Sequence, residues 1–223
     1  HLHLLCWPQL EGLCSFLQLS TGPEHLLGRF CSWLLALTPD LSFTSAAVLA
    51  EQLFLRRVLS LTQPPSRHLM AALASFCSKY SQPFCRVLLA AVLQEPGEGA
   101  EQTKLVCELV EECLEPDCVR LVLSQVLEMP LSEKLLLVLQ AVLERQVRRP
   151  PPCPSEFPCQ LQQCWSKAQL SSLLLVLFQE VLPAELFDLL VLTLCRQAPA
   201  FAASLSYAKL VTALLTRYQS QVS

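Results

Sequence analysis

The chain has 223 residues, of which 52% are hydrophobic and only 16% charged, with five glycines and a formal net charge of −3. That length makes one generous domain or two small ones, and the charge balance gives no broad basic field to neutralise phosphates, which argues against direct nucleic-acid binding. A membrane role is set aside too: apolar runs such as Leu173 to Phe178 fall far short of the roughly 20 residues a span requires.

There are 51 leucines and no isoleucine. Leucine favours helix where strands prefer β-branched residues, so the composition predicts an all-α protein. Twelve cysteines are scattered through it, and Cys31, Cys77, Cys107 and Cys195 fall inside apolar helical stretches, as reduced buried thiols of an intracellular protein do. The chain opens at His1 without a methionine and reads as an excised domain.

The stretch 41–67, LSFTSAAVLAEQLFLRRVLSLTQPPSR, predicts a helix capped by Ser42 or Thr44 and stopped at Pro64-Pro65. Gln52, Arg56, Ser60 and Gln63 make one thin polar stripe, and apolar residues cover the rest, so this helix is sandwiched between neighbours. Ser66 opens the next helix, with Leu69, Leu73, Phe76, Cys77 and Tyr80 on one face, and the Ser-Gln-Pro at 81–83 breaks it. A helix over 84–93 ends in the turn EPGEG at 95–99. From Gln102, Leu105, Val106, Leu109, Val110, Cys113 and Leu114 face inward, and Lys104, Glu108, Glu111, Glu112 and Glu115 outward. Glu115-Pro116-Asp117 restarts the chain into a helix over 119–127, and Pro130-Leu131-Ser132 caps another over 133–147. Further helices are predicted over 170–182, 184–197 and 204–221.

Proline-marked stops at Pro64, Pro96 and Pro130 are 32 and 34 residues apart, the period of a two-helix solenoid unit. The next stop, Pro183, comes later because of RRPPPCPSEFPCQLQQC at 148–164, whose five prolines mark a linker or insertion. The expected organisation is one continuous domain: helical repeats over 1–147, the Pro/Cys-rich linker 148–164, and helical repeats over 165–223.

Catalytic chemistry is hard to find. The four histidines, at 1, 3, 25 and 68, form no metalloprotease-like pair. There is no Gly-rich phosphate loop and no nucleophile elbow. Glu111 and Glu112 are adjacent and point about 100° apart on a helix, which makes a solvated face rather than an acid–base pair. Cys113 with Cys118, and Cys153 with Cys159 and Cys164, are the candidate zinc thiols, but their spacing lacks paired knuckles. No catalytic residue, metal ligand or cofactor is therefore expected. Three features read as partner surface: Arg56-Arg57 in an otherwise apolar helix, the acidic ridge Glu108, Glu111 and Glu112 continued by Glu115, and the aromatics Trp7, Trp33, Trp165 and Tyr218, of which Tyr218 is the expected contact.

Several stretches carry a resemblance: SWLLALTPDLS (32–42), LFLRRVLSLT (53–62), LASFCSKYSQPFC (73–85), LEPDC (114–118), LVLQAVLERQV (137–147), SYAKL (206–210) and LTRYQSQV (215–222). In order and wording they resemble the C-terminal domain of the Fanconi anaemia group E family, nearly continuously over 26–147 and again over 194–222. The resemblance implies a right-handed-type solenoid of antiparallel helical hairpins, HEAT- or armadillo-like. It implies a non-enzymatic adaptor in the nuclear Fanconi core ubiquitin ligase, which repairs DNA interstrand crosslinks. There it joins the group C and group F subunits and helps recruit the group D substrate for monoubiquitination. Arg57 matches the arginine of the family's LFLxR helix. The segment 148–164 departs from the family pattern and reads as an insertion. The family continues past RYQSQV with a helix tied to substrate docking, so weak substrate docking is expected of residues 1–223. The alternative is an unrelated helical-repeat interaction adaptor.

Overall fold

The computed structural model describes residues 7–37, 41–96, 99–148 and 182–218. Among them there are only helices and turns, so the molecule is all-α. The helices are α1 (Trp7–Phe16), α2 (Glu24–Leu37), α3 (43–59), α4 (Arg67–Lys79), α5 (81–94), α6 (Ala100–Glu112), α7 (Pro116–Leu127), α8 (Glu133–Arg148), α9 (Ala184–Gln197) and α10 (Leu205–Arg217).

Local chemistry sets most boundaries. Ser42 caps α3 by accepting from the Ser45 amide, and Ser66 caps α4 by accepting from the Leu69 amide, each satisfying an orphan N–H of the first turn. Pro116 occupies the first turn of α7, where its missing N–H costs nothing. Pro83 does the same in α5, which begins at Ser81; the proline expected to break a helix belongs to the start of the next one. Ser132 precedes α8 as expected, yet its buried hydroxyl has no hydrogen-bond partner. Helices α1 and α2 have no counterpart among the elements predicted from sequence, and the predicted helix over 170–182 lies, but for its last residue, outside the described residues.

Odd-numbered helices pack side by side, α1 on α3, α3 on α5, α5 on α7 and α7 on α9. Even-numbered ones do likewise, α2 on α4, α6 on α8 and α8 on α10. Side-chain contacts give the direction. Lys79 near the end of α4 donates to the Leu35 carbonyl near the end of α2, while Ser66 and Glu24 meet at their starts. Helices α2 and α4 therefore run parallel.

Between the two rows lies the core, in which Phe54, Phe76 and Phe84 are fully buried. Phe54 meets Phe76 edge-on with centroids 5.5 Å apart, and Phe84 lies 6.4 Å from both. Such pairs add about 0.5–1.5 kcal/mol each beyond simple burial. Phe54 and Phe84 both sit in widened π-helical turns, Glu51–Leu55 of α3 and Phe84–Leu89 of α5, which pack on each other.

A second set of contacts ties helix ends together. Arg57 donates to the Leu19 and Gly22 carbonyls beyond α1, and Gln102 to those of Leu59 and Leu61 at the end of α3. Lys134 donates to Glu95 O beyond α5. Arg145 reaches the Glu111 and Leu114 carbonyls at the end of α6, and the Tyr207 hydroxyl donates to Leu194 O in the last turn of α9. Helix C-termini carry carbonyls without intrahelical donors and a partial negative charge. Long polar side chains from other parts of the stack satisfy them.

Candidate partner-binding surface

The arginine pair divides. Arg56 is exposed at the edge of an open polar cleft of about 490 Å³, beside Glu24, Ser60 and Gln63. Arg57 is half-buried and turned inward: Nη2 donates to Leu19 O at 2.9 Å and Gly22 O at 2.6 Å, and Nε to Leu53 O at 3.1 Å. These are charge-assisted bonds that hold the turn after α1. In that turn Gln18 has a φ of +50°, a left-handed conformation that disfavours a side-chain-bearing residue.

Tyr218 is buried, its ring 5.4 Å from Phe187 of α9. Trp33 is 65% exposed on α2 and Phe16 83% exposed at the end of α1. Trp165 lies outside the described residues, and of Trp7 only the backbone is described.

The acidic ridge forms one wall of a groove. Helix α6 buries Leu105, Val106, Leu109 and Val110 and presents Glu108, Glu111 and Glu112 outward. Glu115 lies past the helix end, at the cap position of α7, and leaves the ridge. Alongside runs α8, and between them opens a groove of about 750 Å³. From α6 it is lined by Ala100, Thr103, Lys104, Cys107 and the three glutamates; from α8 by Glu133, Lys134, Leu137, Gln140, Ala141 and Glu144. Its floor is apolar, with Leu137 44% exposed. Lys104 pairs with Glu101 at 2.7 Å. The Cys107 thiol is pushed up to about 12, first by burial and then by the carboxylates of Glu111 and Glu144.

Sequence reasoning found the α6 wall and missed the α8 wall. Glu133, Leu137, Gln140 and Glu144 recur at helical spacing, which is the signal that marks them as one stripe. Their pairing with α6 is tertiary. Among the described residues no three metal-ligating side chains converge, and no helix is long and apolar enough to cross a membrane. Cys118 is buried and Cys113 half-buried, whereas Cys153, Cys159 and Cys164 lie outside the described residues.

The family model of "Fanconi Anaemia group E protein FANCE" matches residues 1–171. The human Fanconi anemia group E protein is 42% identical over 220 residues, 98% of the chain. The chain belongs to the Fanconi anaemia group E family. It spans 35% of that human relative's length. The family match also reaches farther toward the N-terminus than the stretches that resemble the family, and runs through 148–164. The arginine pair, the groove and the aromatics described above are therefore features of a group E chain, and the unrelated-adaptor alternative falls away.

Proposed function

We propose that the chain is a non-enzymatic adaptor of the nuclear Fanconi core ubiquitin ligase, joining the group C and group F subunits and helping recruit the group D substrate in interstrand-crosslink repair. The observation that carries this reading is the 42% identity to the human group E protein across nearly the whole chain. We further propose that the helices form a solenoid of stacked hairpins. The support is the packing of each described helix on the described helix two places along, in two rows, except between α4 and α6, together with the parallel run of α2 with α4 and of α6 with α8.

A stack of this kind suits an adaptor because successive helices offer a long outer surface while the core holds itself together. The polar side chains of the interior support the same reading, since Arg57, Gln102 and Arg145 are committed to backbone carbonyls. The test is co-expression of residues 1–223 with the group C and group F subunits, followed by size-exclusion chromatography. Co-elution is the expected result; a folded chain eluting alone would overturn the adaptor role for this part of the protein.

A further inference from the structure

The groove between α6 and α8 carries a more specific reading. We propose that it docks a basic amphipathic α-helix of about three turns from a partner protein; this rests on the adaptor role and adds the chemistry of the docking element.

Dimensions come first. The α6 wall runs from Ala100 to Glu112 and the α8 wall from Glu133 to Glu144. At 1.5 Å per residue each is about 17–18 Å long, the length of a helix of about 12 residues. Cys107, Leu137 and Ala141 lie between the walls, where apolar side chains of a docked helix at positions i, i+3 or i+4, and i+7 would anchor.

Charge selects the sign of the partner. The groove is lined by five glutamates and two lysines, a net of −3, as large as the formal charge of the entire chain. Both lysines are engaged, Lys104 with Glu101 and Lys134 with the Glu95 carbonyl. Position strengthens the field. Arg145 near the end of α8 bonds the Glu111 carbonyl near the end of α6, while Lys134 near the start of α8 reaches Glu95 just before α6. The helices are thus parallel, and their C-terminal, partially negative ends lie together. Glu111, Glu112 and Glu144 stand at that end, where carboxylates are unfavourable and cations favoured. An occupant carrying Lys or Arg along both edges of an apolar stripe complements this negative lining and covers the floor. An anionic or uniformly apolar occupant does not.

The probe is a fluorescein-labelled 14-residue peptide, LKKLLKLLKKLLKL, added to the full chain. Anisotropy and circular dichroism are expected to show binding with gain of peptide helicity, weakening as salt rises. Leu137→Asn and the double variant Glu108→Gln/Glu112→Gln change exposed side chains, so their melts should match the parent, while each raises Kd at least tenfold. The proposal is overturned if the peptide does not bind, if either variant binds it as tightly as the parent, or if the same residues reordered without an apolar stripe bind equally well. No group C or group F subunit is present in this assay, so its failure is distinct from a failure of the co-elution test.

Discussion

Replacing Arg57 with glutamate places a carboxylate against carbonyl oxygens that now accept from a guanidinium. Two of the lost bonds are long-range, to Leu19 O and Gly22 O. Hydrogen bonds to charged groups contribute about 1.5–3 kcal/mol each, and because Arg57 is half-buried the lower end applies, giving about 3 kcal/mol for the pair. The turn they hold contains Gln18 at positive φ, so release also frees a strained segment and loosens α1 from α3. For a chain of this size 1 kcal/mol moves Tm by about 2–4 °C, so a drop of about 6–12 °C is expected. Circular dichroism melts of Arg57→Glu, Arg57→Gln and Arg57→Lys check this. Lysine should recover only part of the loss, since an ammonium lacks the planar fork that spans two acceptors. A variant Arg57→Glu that melts within 1 °C or so of the parent yet fails to co-elute with the group C subunit would refute the argument and make Arg57 a contact residue.

Leu109→Asp buries a carboxylate at a position 1% exposed and should unfold the domain, leaving no cooperative urea transition at 25 °C. Gln18→Gly removes the positive-φ penalty and should raise stability by about 1 kcal/mol in urea melts. Burial pushes the Cys31 and Cys77 thiols up to about 12 from 9.0. The unfolded state releases these protons first, so stability holds below pH 9 and falls as pH rises from 9 towards 12, by about 1.4 kcal/mol per unit for each thiol. Urea melts at pH 8, 9 and 10 should show this slope shrinking in Cys77→Ala; equal slopes in the two proteins would sink the account.

The caps at Ser42 and Ser66 were legible because they are local: each serine accepts from an amide three residues on. The amphipathic faces of α4 and α6 were legible through their period. What the sequence hid depends on distant residues. Nothing near Glu51 or Phe84 announces a π-helical turn, and these turns pack on each other across the core. Arg57, Gln102 and Arg145 find acceptors 31 to 43 residues away, beyond the reach of any periodicity argument. Hence Arg57 looked like surface beside Arg56. Helix α1 contains Gly12 and α2 contains Gly28, which weaken the helical signal, and packing on α3 and α4 supplies the difference.

Fold and binding surface separate by the same electrostatic rule. At the ends of α1, α2, α3 and α5 the negative pole of the helix meets a donor from elsewhere in the stack, Arg57, Lys79, Gln102 or Lys134. At the end of α6, Arg145 does this beneath the surface by reaching the Glu111 and Leu114 carbonyls, while Glu108, Glu111 and Glu112 stand above it on the groove side. A chain tuned only for its own stability would place lysine there, as a cation in the last turn contributes about 0.3–1 kcal/mol. Carboxylates forgo that contribution, and Glu144, which accepts from Gln140, adds to the negative lining of the groove. A cationic partner completes this charge pattern, which sets the groove apart from the arginine pair, where Arg57 is already committed to backbone carbonyls.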